Sequence, residues 1–134
     1  MKPCTEKSTS RGLTSPPARL AWLWTGVILA LCWAPARWVH QVEQGRVERS
    51  GLHLDKLVHL AAFAGFGLLW KRVSPGRRTG IMILAAGALL AIISELGQAM
   101  PVVGREPDVL DAIADVLGVL IGICASNFLK QKTV

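Results

Sequence analysis

The stretch "REPDVLDAIADVLGVLIG" (Arg105–Gly122) decides the fold of this chain. Its second half is apolar enough to sit in lipid, yet Asp108, Asp111 and Asp115 stand three and four residues apart at its mouth. On a helix that spacing puts the three carboxylates on one face. Carboxylates are costly in hydrocarbon, so such a face turns toward the inside of a bundle or an aqueous cavity and pairs with cations.

The rest of the chain has the same character. Of 134 residues, 51% are hydrophobic and 18% are charged, with no tyrosine, and the mean hydropathy is +0.42. The apolar residues gather in blocks rather than alternating with polar ones. That excludes a disordered chain and argues against a water-soluble fold of this size; one small integral membrane domain is the expectation. The net charge of +6 does not point to nucleic acid, because the basic residues flank the apolar blocks, as membrane topology requires. Cys4, Cys32 and Cys124 have no metal-ligand spacing and read as unpaired, unreactive thiols.

Working backward from the quoted stretch, four apolar blocks emerge. The fourth runs from Val109 to about Leu129, and the third from about Gly80 to Met100, where Pro101 ends it. The first is Leu20 to Ala36, behind a polar tail of residues 1–19 that is rich in Ser, Thr and Pro and predicted to be disordered. The second, Leu57 to Trp70, is short: about 14 residues at 1.5 Å each reach only about 21 Å, against about 30 Å of hydrocarbon. To span, it must extend backward through His59, Lys56 and Asp55 toward Leu52. The fold expected is therefore all-α, a polytopic bundle of four transmembrane helices over residues 20–129, followed by a short tail at 130–134.

Lys and Arg accumulate on the cytoplasmic side of membrane proteins. Lys2, Lys7, Arg11 and Arg19 lie in the first tail, Lys71, Arg72, Arg77 and Arg78 in the second connection, and Lys130 and Lys132 in the last tail. The other side has Arg37, Arg46, Arg49, Lys56 and Arg105 over a longer length, mixed with acids. Both termini are thus expected in the cytoplasm. Trp22, Trp24 and Trp70 fall at inner ends, and Trp33 and Trp38 near an outer end, as an aromatic belt requires. An alternative is a cleavable signal peptide ending at "APA" (Ala34–Ala36), which would leave three spans in the same orientation.

This topology brings the intramembrane polar residues to one level near the outer leaflet. Asp55, Lys56 and His59 begin the second helix, Glu95 and Gln98 end the third, Arg105 lies in the connection, and Asp108, Asp111 and Asp115 begin the fourth. Ser94, beside Glu95, points to a different helix face. Gly118 and Gly122 form a GxxxG spacing on roughly the Asp111/Asp115 face, and Ala61 and Gly65 on the second helix are small enough for close approach. His40 and His53, in the polar external loop, read as solvated.

These same residues resemble a known pattern. "LDKLVHLAAFAGFGLL" (Leu54–Leu69), followed by "SELGQAMPVVGREPDVLDAIADVLGVLIG" (Ser94–Gly122), is similar to the VanZ-like family of bacterial membrane proteins over roughly residues 52–123. The resemblance implies that Asp55, Lys56 and His59 form a first motif, Glu95 and Gln98 a second, and Arg105, Asp108, Asp111 and Asp115 a third. Members often carry Asn where Asp115 stands, so the site gains a carboxylate here. The family takes its name from a member linked to teicoplanin resistance, which implies an envelope setting in the bacterial inner membrane without implying a reaction.

Two functions follow as expectations. In the first, Lys56, Arg105 and His59 hold the anionic headgroup of an envelope lipid or cell-wall precursor, with Glu95 or Asp115 in reach as a general base. No G-x-S-x-G motif and no reactive Cys accompanies the cluster, so whether it catalyses is left open. In the second, the protein is a non-catalytic scaffold or accessory subunit, working with a membrane-protein partner or a second copy, and the polar cluster only docks helices. A divalent-metal site on His59, Glu95, Asp111 and Asp115 is a weaker third reading, given a single His and two nearby cations. No cofactor is expected.

Overall fold

A computed structural model describes residues 15–34, 54–104 and 107–131. They form four helices and no strand: α1 (Pro16–Cys32), α2 (Leu54–Val73), α3 (Arg77–Gln98) and α4 (Val109–Gln131). Residues 1–14 and the loop with Arg37, Trp38, His40, Arg46, Arg49 and His53 lie outside the described residues, as do Arg105 and the side chain of Asp55.

Each helix boundary has a local cause. α1 starts four residues before the apolar block at Leu20, because Pro16 and Pro17 occupy its first positions, where a missing N–H costs nothing. It ends at Cys32, where the Trp33 N–H still reaches the Leu29 carbonyl, ahead of Pro35. α2 does extend backward through Lys56 and His59, starting at Leu54, and its 20 residues make about 30 Å. Lys71 and Arg72 in its last turn complement the negative end of the dipole. α3 ends at Gln98, ahead of Pro101, and the chain turns through Gly104 at φ 65°, a left-handed conformation suited to glycine.

α3 and α4 are both long and apolar enough to cross a membrane. α1, at 17 residues, is shorter, and α2 carries charges at both ends. The surface supports a lipid setting. Ile81, Leu89, Ile92 and Leu96 on α3, and Val109, Ile113, Leu117 and Ile121 on α4, are all exposed. Recurring at three-, four- and eight-residue steps, they form continuous apolar stripes that water would not tolerate but lipid would.

α2 is the hub, touching all three other helices, and its pairing with α4 is the most extensive. One stripe of α4 faces inward along its whole length: Asp111, Asp115, Gly118, Val119, Gly122 and Ser126 are all buried. A Cβ on Gly118 would strike the Leu60 carbonyl of α2, and one on Gly122 would strike the Ala64 carbonyl. The GxxxG pair therefore does what its spacing predicts. On α2, however, the close approach runs through Leu60, Ala64 and Gly67, not through Ala61, which is exposed, or Gly65, which lies under the Trp24 indole of α1. Those residues occupy the faces that α4 does not meet.

Phe63, Phe66, Ile83, Leu90, Ala91 and Val119 fill the centre, with Ile28 and Cys32 from α1. Two tryptophans tie α1 to α2: Trp24 Nε1 donates to the Ala62 carbonyl at 2.9 Å, and Trp70 Nε1 donates to Thr25 Oγ1 at 3.2 Å. Trp22 packs edge-on against Trp70, their ring centroids 4.9 Å apart, whereas Trp24 meets α2 nearer its start, over Gly65.

Candidate functional site

The start of α2, the end of α3 and the start of α4 meet at one end of the bundle, and there the polar residues converge. Lys56 Nζ bridges two carboxylates at the start of α4, donating to Asp108 Oδ2, just ahead of the helix, at 2.5 Å and to Asp111 Oδ1, in its first turn, at 2.7 Å. One turn deeper on both helices, His59 Nδ1 lies 2.9 Å from Asp115 Oδ1. With Asp115 ionised, the carboxylate only accepts, so Nδ1 carries the proton. The environments differ. Lys56 and Asp108 keep 20% and 44% of their side chains exposed, whereas His59 and Asp115 keep 5% and 0%. The first pair is a rim and the second is interior.

Glu95 approaches from α3. Its Oε2 accepts the backbone N–H of Asp108 at 2.8 Å, so a carboxylate of one helix caps the beginning of another. This satisfies an amide with no intrahelical acceptor and complements the positive end of the α4 dipole. Asp108 adds a local cap, its Oδ1 accepting the Leu110 N–H at 2.8 Å. Glu95 also lies within electrostatic reach of His59, Asp111 and Asp115.

Three buried polar atoms at the end of α3 have no hydrogen-bond partner among the described residues: Glu95 Oε1, Gln98 Nε2 and Ser94 Oγ. Ser94 was absent from the candidate set read off the sequence. It does occupy a different face from Glu95, but that face is the inward one: Ser94 and Gln98, four residues apart, are 0% and 1% exposed, and Glu95 stands at the edge. The i, i+4 relation to Gln98 was the available signal.

The structure thus unites Lys56, His59, Glu95, Asp108, Asp111 and Asp115 by contact, places Gln98 one turn from Glu95, and adds Ser94. Asp55 and Arg105 lie outside what is described. Among the described residues, no three of the His, Cys, Asp and Glu side chains come together to hold a metal ion. Asp111 bonds to Lys56 and Asp115 to His59. Cys32 belongs to the apolar core and Cys124 is exposed on α4.

What remains is a wall and an open edge. The wall is the pair of α2–α4 ion contacts; the edge is the buried polar tip of α3, with a carboxylate oxygen, an amide N–H₂ and a hydroxyl whose hydrogen-bonding capacity is unspent. Comparison with protein families gives a match to the VanZ/LLP1 family over residues 13–130, which includes all four helices apart from the last residue of α4. Comparisons with curated proteins and with solved structures return no match.

Proposed function

Because the chain belongs to the VanZ/LLP1 family, we propose that it is a multi-pass protein of the bacterial inner membrane that binds the polar headgroup of an envelope lipid or cell-wall precursor at its outer face. Four crossings with both termini in the cytoplasm place Lys71, Arg72, Arg77 and Arg78 inside and the carboxylate-rich end outside. The family match begins ahead of α1, which supports a first helix retained as part of the domain.

One observation carries the binding reading: Ser94, Glu95 and Gln98 hold unsatisfied polar atoms in a buried setting. Such groups cost free energy unless something pairs with them, and most in folded proteins are paired. A headgroup with hydroxyl or amine donors for Glu95 Oε1 and an acceptor for Gln98 Nε2 would complete them. An anionic part has a place as well. An ammonium has three donors, and Lys56 spends two on Asp108 and Asp111, leaving one N–H at the partly exposed rim. His59, by contrast, is committed to Asp115 and positions that carboxylate instead of meeting the ligand.

A second reading is supported by the Lys56 bridge itself, which would serve as a helix clamp with no ligand at all. Labelling separates the two. A single cysteine at Gln98, in a background where Cys4, Cys32 and Cys124 are replaced, is expected to react with a membrane-impermeant maleimide added from the periplasmic side. Anionic lipid or lipid-linked precursor is expected to slow that reaction at least fivefold. A folded protein whose Gln98→Cys thiol stays unreactive throughout would leave the clamp as the function of the cluster. Charge exchange is the complement: Lys56→Glu with Asp111→Lys keeps a clamp intact but removes a headgroup site.

A further inference from the structure

At the opposite end of the bundle, α2 ends, α3 begins and α4 nears its end. There a cavity of about 300 Å³ is lined by Lys71, Pro75, Gly76, Arg77, Ser126 and Asn127. Lys71 is 6% exposed, and its Nζ donates to the Gly76 carbonyl at 2.5 Å. No carboxylate lies within salt-bridge distance of it among the described residues. The sequence explains why: no Asp or Glu occurs between Asp55 and Glu95, and none after Asp115. Glu6 and the C-terminal carboxylate belong to segments outside the described residues.

The backbone adds positive potential to the same spot. α3, 22 residues long, begins here with no side-chain N-cap and no acid in its first turn, so its leading amides lack intrahelical acceptors. Its first two residues are Arg77 and Arg78. Cations at a helix N-terminus oppose the dipole instead of complementing it, the reverse of the usual arrangement. Lys71 is pressed against the same turn, its Nζ lying 3.3 Å from where a Cβ on Gly80 would stand. A second observation is independent of charge. Ser126 is 7% exposed and lines the same cavity. A buried cation with no carboxylate beside it among the described residues, helix amides without intrahelical acceptors and a cavity-lining hydroxyl form a complementary set for one tetrahedral anion.

We propose that this cavity binds a phosphate group, with Lys71 as counter-ion, the first turn of α3 as amide donor, and Ser126 and Asn127 as neutral hydrogen-bonding groups. A phospholipid headgroup of the cytoplasmic leaflet and a free phosphate present the same chemistry to it. The site shares no residue with the carboxylate end and stands or falls independently of the reading proposed there.

The test uses the full chain purified in neutral detergent. Phosphatidic acid and phosphatidylcholine are titrated separately with detection of lipid adducts by native mass spectrometry. Inorganic phosphate is titrated against chloride of equal ionic strength with detection by thermal unfolding. Binding of phosphatidic acid at least fivefold tighter than phosphatidylcholine identifies a lipid headgroup; stabilisation by inorganic phosphate over chloride identifies free phosphate. In either case Ser126→Ala and Lys71→Gln are each expected to weaken binding at least fivefold, whereas Ile92→Ala, on the exposed face of α3, leaves it unchanged. Ser126→Ala removes one oxygen and should fold even where Lys71→Gln does not. Wild-type binding in Ser126→Ala, or no preference for either phosphate source in the unaltered chain, overturns the proposal.

Discussion

His59→Leu is expected to destabilise the protein by about 3–5 kcal/mol, the range for removing one partner of a buried charged pair. The reason lies in the surroundings of Asp115, which is 0% exposed and sits 2.9 Å from the ring of His59. Without the imidazole the carboxylate keeps its desolvation penalty and loses this donor. Asp115→Leu is expected to cost less, because a neutral imidazole is cheaper to leave buried without its partner than a carboxylate is. The double variant His59→Leu/Asp115→Leu is expected to recover most of the loss, since apolar replacement of both partners of a buried pair is often neutral. Unfolding in denaturant, followed by tryptophan fluorescence across the full cycle, measures the coupling directly. A loss in the double variant equal to the sum of the two single losses would show that the pair contributes nothing as a pair. The double variant also bears on function: a restored fold with lost headgroup binding assigns Asp115 to the site, whereas full retention of binding assigns it to packing.

The second large effect belongs to a residue without a side chain. Gly122→Ala should damage the fold more than the ~1–3 kcal/mol usual for overpacking, because the added Cβ meets the Ala64 carbonyl of α2. A flexible side chain can swing aside; a helix backbone moves only as a whole. Separating α2 from α4 there would also strain the Lys56–Asp111 and His59–Asp115 contacts, which join the same two helices. Gly26→Ala is the matched control. Nothing lies within 4 Å of a Cβ at Gly26 in α1, so only helix propensity acts, and a gain of up to about 1 kcal/mol is expected. Folded yield and thermal midpoint of the two variants decide the matter; similar behaviour would remove glycine contact as the basis of α2–α4 docking.

Much of this was legible in the residues. Apolar blocks of the right length announced α3 and α4, and the alignment of Asp108, Asp111 and Asp115 with Gly118 and Gly122 identified the inward stripe of α4. Where the reading slipped, hydropathy was standing in for backbone geometry. Hydropathy marks what prefers lipid, whereas a helix begins where φ and hydrogen bonding allow, so Pro16 and Pro17 opened α1 ahead of Leu20. Ser94 points to a different helix face from Glu95, but helical spacing ties it to Gln98, and that shared face is the inward one. Ala61 was small enough for a contact face but turned away from the partner helix.

The sequence by itself determined that the chain is helical and apolar, and that its intramembrane carboxylates gather at one end, because connection lengths and block boundaries set depth along a helix. It did not determine partners. Which of four carboxylates would take Lys56, which would face His59, and that Glu95 would cap a backbone amide instead of meeting a cation, depended on rotation and separation between helices. Those were decided only in three dimensions, where Gly118 and Gly122 let α4 approach the carbonyls of α2 closely enough for short side chains to touch. Depth is a property of one helix; pairing is a property of two, and the packed backbone distance between them is what selects it.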